Sequence, residues 1–263
     1  MIKTVVKTTT LVILVCAGCA FPAKRHGDSP EDYYQQAMKN FDNHLWQEAV
    51  TAFAQLKAKY PYSKYASIAE LRIADVKFAS ERWSESVDAY HIFVQFHPNN
   101  EEVPYAMYRE ALAHYNLMDT DFFFLPPAHE KDQAEVTKAD ELLSEFVERY
   151  PSDKNRPDAE KKLNDTRRRL ADHELYVARF YRRLGKYVGA TARYEFVRTH
   201  YCGASAGGHG PDIGFDRPVL LELGQTYVTM GEKEKARPVL ITLAEQHPDT
   251  SEGRTAKSLL AKL

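Results

Sequence analysis

Apolar positions recur along most of the chain at the spacing of amphipathic α-helices, and the predicted helices come in pairs. The second helix of a pair carries a small residue, then an aromatic residue or leucine four positions later, and ends at a proline. Proline ends a helix because the residue before it avoids the α conformation. The pattern occurs at Ala49, Phe53 and Tyr60-Pro61; at Ser86, Tyr90 and His97-Pro98; at Ala139, Leu143 and Tyr150-Pro151; and at Ala236, Leu240 and His247-Pro248.

This repetition predicts an all-α fold, a right-handed α-solenoid of about five tetratricopeptide-like helical hairpins. The last hairpin matches the tetratricopeptide pattern best, with Gly224 and Ala236 as the small residues at which two helix axes cross. A helix from Arg254 to Leu263 is expected to cap the end of the solenoid. The solenoid occupies residues 30–263, with repeats at about 30–63, 67–100, 103–153, 157–201 and 217–250.

Two insertions interrupt the repeats. In the third repeat, an apolar segment precedes Pro126-Pro127; it either packs against its own solenoid, which we favour, or contacts a partner. A glycine-rich insertion at 202–216 follows the fourth repeat, and Cys202 stands where the other repeats have proline. The candidate contact residues of the first insertion are Phe122, Phe123, Phe124 and Leu125.

The first 18 residues have the layout of a secretory signal peptide, with Lys3 and Lys7 before a short apolar run. The run is too short to span a bilayer, which takes about 20 apolar residues. Residues 16–19, Cys-Ala-Gly-Cys, resemble the bacterial lipobox, and the resemblance implies cleavage before Cys19 and lipidation of its thiol. The alternative is an ordinary cleaved signal peptide in which Cys19 has no role.

Residues 19–29 contain proline, glycine and charges without apolar periodicity, so we expect a flexible tether between the lipid and the fold. Ala20, and not aspartate, follows the lipidated cysteine; in bacteria that sort lipoproteins, this resembles the signal for export to the outer membrane.

Charge and motif content argue against nucleic acid binding and catalysis. The formal charge is −2, and without the lysines of the signal peptide it becomes more negative, so nucleic acid is not an expected partner. No nucleophile elbow, phosphate loop or zinc-protease motif occurs in the sequence, and we predict a protein that is not an enzyme and needs no cofactor. His200, Cys202 and His209 match no standard metal-site spacing, so we predict no metal site. In a lipidated mature chain Cys202 is the one free thiol, and we expect it to be partly buried.

The segment Arg169–Tyr181 and the turn that follows it at Gly185–Ala190 resemble the BamD family, the lipidated tetratricopeptide proteins of the β-barrel assembly machinery. The pattern Tyr105-x-x-Tyr108-Arg109 and the phenylalanine-rich insertion are also similar to the family. The resemblance extends from Cys19 to about Tyr201 and weakens beyond it.

The resemblance implies a lipid-anchored scaffold at the periplasmic face of the outer membrane. Its expected partners are the POTRA domain of BamA, other Bam lipoproteins and unfolded outer-membrane β-barrel proteins. Arg193 matches a family arginine at the BamA contact. The first hairpins are expected to receive a substrate peptide, with ordinary core packing as the alternative for each candidate residue; these are Tyr33, Tyr34, Phe41, Leu71 and Arg72.

A different class of function is also compatible with a tetratricopeptide lipoprotein. This is a periplasmic adaptor of the Tol-Pal, cell-division or peptidoglycan-synthesis machinery. Adaptors of the Tol-Pal or cell-division type normally carry an N-terminal coiled coil, and no sustained heptad repeat occurs in this sequence; a lipoprotein that binds peptidoglycan or its synthases stays open.

Overall fold

The computed structural model describes residue 27 and residues 29–121, 123–210 and 212–263. These residues form α-helices and two short 3₁₀ turns, and contain no β-strand. The signal peptide, Cys19, most of the tether and Phe122 lie outside the described residues. The helices are α1 (Pro30–Asp42), α2 (Trp46–Lys59), α3 (Lys64–Ala79), α4 (Trp83–Phe96), α5 (Val103–Leu117), α6 (Ala134–Arg149), α7 (Arg156–Arg183), α8 (Tyr187–Tyr201), α9 (Asp216–Met230), α10 (Lys233–Gln246) and α11 (Ser251–Leu260).

Each helix packs against the next helix along the chain, from α1 on α2 to α10 on α11. The predicted all-α array of helical hairpins is therefore confirmed. The small residues of the repeat and the bulky residues four positions later are fully buried where the hairpins meet. The small residues are Ala49, Ser86, Ala139, Ala190 and Ala236, and the bulky ones are Phe53, Tyr90, Leu143, Tyr194 and Leu240.

Local sequence determines where most helices begin and end. The hydroxyl of Ser29 accepts a hydrogen bond from the backbone N–H of Asp32 at 3.2 Å, and Pro30 occupies the first helical position of α1. Helices α2, α4, α6 and α10 each stop one residue before the tyrosine or histidine that precedes a proline. The capping helix α11 begins at Ser251 rather than Arg254, because the side chain of Thr250 caps it by accepting from Gly253 N at 3.0 Å. No helix among the described residues combines the length and the apolar character needed to cross a membrane.

Helix α8 ends at the glycine-rich insertion, at the position where other repeats have a proline. It folds back so that His209 N donates to the carbonyl of Thr199 at 2.9 Å and Gly210 N donates to that of Cys202 at 3.1 Å. These bonds satisfy carbonyls that a helix end leaves without a partner. The approach requires glycine, because a β-carbon at Gly208 would lie 2.2 Å from the carbonyl oxygen of Cys202.

Cys202 is fully buried beneath this insertion, and not only partly as the sequence suggested. The nearby Asp216 carboxylate accepts hydrogen bonds from Gly203 N at 3.3 Å and Ser205 Oγ at 3.1 Å. Burial, and then the negative charge of Asp216, raises the pKa of the Cys202 thiol well above its usual range. The thiol therefore stays protonated and poorly reactive at neutral pH, since the thiolate is the nucleophile.

Replacing Gly208 by alanine should open the insertion and expose Cys202. The clash with the Cys202 carbonyl costs the closed insertion about 1–3 kcal/mol, so we expect alkylation of Cys202 in the native chain to accelerate by about tenfold or more. The rate is measured by mass spectrometry of the peptide that contains Cys202. The control is His209→Ala, because the neighbouring His209 side chain is exposed and its removal leaves the backbone contacts in place. Equal alkylation rates in wild type and Gly208→Ala would refute this role for the insertion.

Candidate partner-binding surfaces

The structure brings two of the predicted groove residues together, Tyr34 on α1 and Arg72 on α3. The Tyr34 side chain lies close to the Arg72 guanidinium. The Tyr34 ring also lies 5.4 Å from the ring of Tyr65, at the start of α3. All three side chains are partly exposed, so they form a patch on the first helices of two consecutive hairpins.

The other predicted groove residues lie elsewhere. Tyr33 faces the end of α2, where its hydroxyl accepts a hydrogen bond from Lys59 Nζ at 2.9 Å. Phe41 packs edge-on against Trp46, with the ring centroids 5.7 Å apart. Leu71 is fully buried between hairpins, so its side chain serves the core and cannot line an open groove. Core packing, the alternative named for these residues, is what the structure shows for Leu71.

A buried carboxylate lies next to the Tyr34–Arg72 patch, and the sequence patterns did not reveal it. Asp75 is 3% exposed and accepts hydrogen bonds from Arg72 Nη1 at 2.5 Å, Tyr90 Oη at 2.6 Å and Tyr105 Oη at 2.9 Å. Burial, and then the Asp75 charge, raises the pKa of Tyr105 to about 12 and raises that of Tyr90 further. Both hydroxyls therefore stay protonated and donate to Asp75, which ties α3, α4 and α5 together. The spacing of Arg72 and Asp75, three residues apart on one helix, indicates an ion pair but not the burial of Asp75.

Two cavities of the N-terminal hairpins lie on a different face of α3 from Arg72. These adjoining cavities, of about 570 and 500 Å³, run between α2, α3 and α4. Glu70 crosses them, accepting from Lys57 Nζ at 2.6 Å and contacting His97 Nε2 at 2.7 Å. Ile92 and Phe96 are 50% and 70% exposed along one wall. Helical spacing separates Glu70 from Arg72, so these cavities do not belong to the predicted groove.

Arg193, the predicted partner contact, is half exposed on α8 and held by α7. Its Nη1 donates to both carboxylate oxygens of Glu174, at 2.9 and 2.8 Å, and the Glu174 side chain is 15% exposed. A similar contact lies nearby, where Arg179 of α7 donates to both oxygens of Glu222 on α9 and Tyr194 Oη donates to one of them at 2.8 Å. Arg193 therefore presents a positioned guanidinium, only part of which is engaged within the chain.

The tip of the aromatic insertion is exposed, which corrects the favoured expectation that it packs against its own solenoid. Phe123, Phe124 and Leu125 are 88%, 77% and 56% exposed. Phe122, the remaining candidate contact residue, lies outside the described residues. An apolar tip of this kind is typical of an interaction site.

The base of this insertion, in contrast, is fixed. Asp121 Oδ1 accepts from Ala128 N at 2.7 Å, and Gln133 Nε2 donates to the Ala128 carbonyl at 2.8 Å. The carbonyl of His129 accepts from His173 Nδ1 on α7 at 2.8 Å. The insertion therefore lies along α7 and presents its tip from an ordered stem.

His200, Cys202 and His209 do not form a metal site in the structure. His200 bonds the carbonyl of Phe196 and stacks on its ring, Cys202 is buried, and His209 is exposed. Across the described ranges no group of three or more histidine, cysteine or acidic side chains is arranged to hold a metal ion.

Replacing Glu70 by glutamine should destabilise the chain in a pH-dependent way. Burial favours a raised pKa for Glu70, but hydrogen bonds and charges from Lys57 and His97 hold the pKa below its ordinary value of 4.5. The carboxylate therefore stabilises the fold above pH 4.5, and this contribution is lost as the pH falls through the folded-state pKa. At neutral pH we expect a loss of about 1 kcal/mol or less, because Lys57 is half exposed.

Urea unfolding at neutral pH and at roughly pH 3 measures this difference in stability, which should be smaller at the lower pH. Glu85→Gln is the control, because the half-exposed Glu85 makes longer ion pairs with Lys77 and Arg82, at 3.8 and 3.5 Å. A Glu70→Gln defect of the same size at both pH values would contradict the ionic origin of the effect.

Comparison with known proteins identifies the family. The model of the YfiO family, described as outer membrane lipoprotein, matches residues 26–210, and a tetratricopeptide repeat model matches residues 219–250. The outer membrane protein assembly factor BamD of Xylella fastidiosa is 26% identical over 244 residues, covering 89% of this chain and 80% of the relative. BamD of Caulobacter vibrioides is 26% identical (86% and 70% covered), and BamD of Rickettsia prowazekii is 24% identical (82% and 80% covered). Since the first family model matches well over half of its residues, the chain belongs to the YfiO family of outer membrane lipoproteins.

Proposed function

We propose that the chain is a non-catalytic scaffold that assists the assembly of β-barrel proteins in the outer membrane. The observation that carries the proposal is the extent of the family match, which covers the first four hairpins, together with relatives named outer membrane protein assembly factor that align over most of their length. A continuous array of hairpins is suited to holding several partners at once, because every hairpin adds surface to the same rigid body.

Lipid on Cys19 would hold the scaffold at the periplasmic face of the outer membrane. The family description as a lipoprotein and the lipobox-like residues before Cys19 support this part of the proposal. Several acyl chains on one terminus give stable anchoring, whereas a single chain gives only marginal binding. The residues up to Ser29 would then act as the tether.

The C-terminal hairpins would bind the POTRA domain of BamA, and other Bam lipoproteins would join the same complex. Arg193 supports this assignment because its guanidinium is half exposed and pre-positioned by Glu174. A carboxylate on the partner can engage its remaining donors with little further loss of side-chain entropy. The exposed tip at Phe123, Phe124 and Leu125 offers a second, apolar contact.

The N-terminal hairpins would receive unfolded outer-membrane β-barrel segments. Of the candidate residues, Tyr34 and Arg72 support this role directly, because they are partly exposed and adjacent. Tyr33 and Phe41 would extend the binding surface at the same end of the solenoid, and Leu71 would support that surface from the core.

Replacing Arg193 by glutamate should weaken partner capture without unfolding the chain. The new carboxylate would repel Glu174 and remove the cation offered to the partner. We expect recovery of BamA after mild detergent extraction to fall by about tenfold or more, because like charges brought together at an interface cost several kcal/mol. Arg183→Glu, an exposed charge reversal in the same hairpin, is the control. Unchanged BamA recovery would remove the assignment of Arg193, and recovery of Tol proteins or a peptidoglycan synthase instead of BamA would support the adaptor class.

Replacing Cys19 by alanine should release the chain from membranes. Without the thiol no diacylglycerol can be attached, and the described helices provide no other membrane span. Fractionation of membranes after washing at high salt measures the effect, with Cys202→Ala as the cysteine control. Full retention of the Cys19→Ala variant on membranes would show that the lipobox assignment is wrong.

A further inference from the structure

Three large apolar side chains are exposed together at one edge of the N-terminal hairpins. Tyr62 is fully exposed in the turn between α2 and α3, and Ile92 and Phe96 are exposed toward the end of α4. Tyr62 lines one of the two adjoining cavities between α2, α3 and α4, and Ile92 and Phe96 line the other. We call the surface formed by Tyr62, Ile92 and Phe96 the apolar edge. Clustered apolar exposure of this kind marks an interaction surface.

The apolar edge is formed where the ends of α2 and α4 lie side by side. The carboxylate of Glu70 on α3 accepts from Lys57 Nζ at 2.6 Å, near the end of α2, and contacts His97 Nε2 at 2.7 Å, directly after α4. One side chain therefore connects both helix ends, and Tyr62 follows the first of them while Phe96 is the last residue of the second. The apolar edge thus belongs to the ordered array of helices.

The chain enters the fold beside the apolar edge. In the first turn of α1, the ring of Tyr33 lies 5.7 Å from the ring of Tyr60, which comes two residues before Tyr62. Ser29, the cap of α1, follows Cys19 by ten positions in the sequence. Because an extended chain spans at most about 3.6 Å per residue, lipid on Cys19 would hold this edge within roughly 35 Å of the bilayer.

The side chains of the apolar edge suit the boundary between lipid headgroups and acyl chains. Ile92 and Phe96 supply apolar surface, and the ring of Tyr62 combines an apolar face with a hydroxyl that can bond water or phosphate. Exposed lysines flank Tyr62 in the sequence, namely Lys57, Lys59 and Lys64. Long lysine stems cover apolar surface while their ammonium groups reach outward to lipid phosphates.

Acidic side chains at the same edge limit the electrostatic attraction to anionic lipid. Glu31 and Asp32 lie in the first turn of α1, and the exposed Glu101 comes just before α5. Apolar contact must therefore supply most of the binding, and three side chains give only a weak contact by themselves. A lipid on the same chain raises the local concentration of bilayer, so that a weak contact is occupied.

We propose that Tyr62, Ile92 and Phe96 insert into the phospholipid surface and fix the orientation of the lipid-anchored solenoid. The inference rests on the proposed lipidation of Cys19 and adds a second contact with the bilayer. A bilayer is favoured over a protein as the occupant of the apolar edge, because the tether brings the membrane within reach of it. Consecutive helices pack on each other and alternate in direction, so the turn between α7 and α8, with Val188, lies at the opposite edge.

The test uses the full-length lipidated chain in vesicles of phosphatidylethanolamine and phosphatidylglycerol, with an environment-sensitive dye on one introduced cysteine. Phe96→Cys places the dye on the apolar edge, and Val188→Cys places it at an exposed site of the opposite edge. Both carry Cys202→Ala, so that the dye has one site of reaction. We expect doxyl-labelled lipids to quench the dye about threefold or more strongly at position 96 than at position 188, because inserted groups lie about 5–10 Å into the headgroup and acyl boundary.

A second comparison tests whether the side chains of the chain, and not the dye, drive the insertion. With the dye at Ile92→Cys, the further change Tyr62→Glu should lower the quenching to that seen at Val188→Cys, because a charged side chain opposes insertion. Leu184→Glu is the matched control, since Leu184 is an exposed apolar residue of the opposite edge. It should leave the quenching at position 92 unchanged.

Equal quenching at positions 96 and 188, in chains that float with the vesicles, would overturn the membrane contact and leave the lipid anchor intact. A dye at position 96 whose emission shifts to the blue without quenching by lipid would show that the apolar edge packs on protein, and would also overturn the proposal. Failure of the wild-type chain to float with the vesicles would overturn the lipidation of Cys19 and the membrane contact with it. The partner role of Arg193 is tested separately and does not depend on these outcomes.

Discussion

Close approach of neighbouring helices is the constraint on which the rest of the structure depends. At Gly224 of α9 a β-carbon would lie 2.5 Å from Cδ2 of Leu240 on α10, well inside the ~3.5–4.0 Å of a carbon–carbon contact. Alanine or serine plays the same part in the other hairpins, as at Ala49 and Ser86, which are fully buried. Short distances between axes let one side chain span two hairpins, and this makes polar links between repeats possible.

Several of those links are tyrosine hydroxyls that donate to carboxylates on a neighbouring hairpin. Tyr105 reaches Asp75, Tyr108 reaches Asp158, and Tyr194 reaches Glu222. Since each tyrosine adds a large apolar area and a satisfied hydroxyl, a repeat protein gains both packing and orientation from one residue. The arrangement also leaves Arg193 with donors beyond those that engage Glu174, and Arg193 is a site where partner binding is proposed. The polar side chains that link neighbouring hairpins therefore serve both the stability of the scaffold and the proposed partner binding.

The sequence predicts the parts of this fold that depend on local rules. A proline stop such as Tyr60-Pro61, a capping Ser29 and a crossing glycine at Gly224 each act within a few residues, so pattern alone locates them. The burial of Asp75 and its hydrogen bonds depend on three helices meeting. Nothing in the sequence spacing around Asp75 distinguishes a buried acceptor from a surface charge. Leu71 was predicted to line the groove beside Arg72, but consecutive helical residues are rotated by about 100° from each other, and Leu71 points into the core.

Both insertions interrupt a repeat, but one packs on the fold and the other exposes its tip to solvent. The glycine-rich insertion turns backbone N–H groups toward the end of α8 and covers Cys202. These donors are therefore satisfied within the fold. The aromatic insertion fixes its base on α7 through His129 and leaves Phe123 and Phe124 in solvent. Burying these phenylalanine side chains would be favourable, and on an ordered stem only contact with another surface can bury them. The break in the third repeat is therefore where this scaffold differs most from a plain array of hairpins.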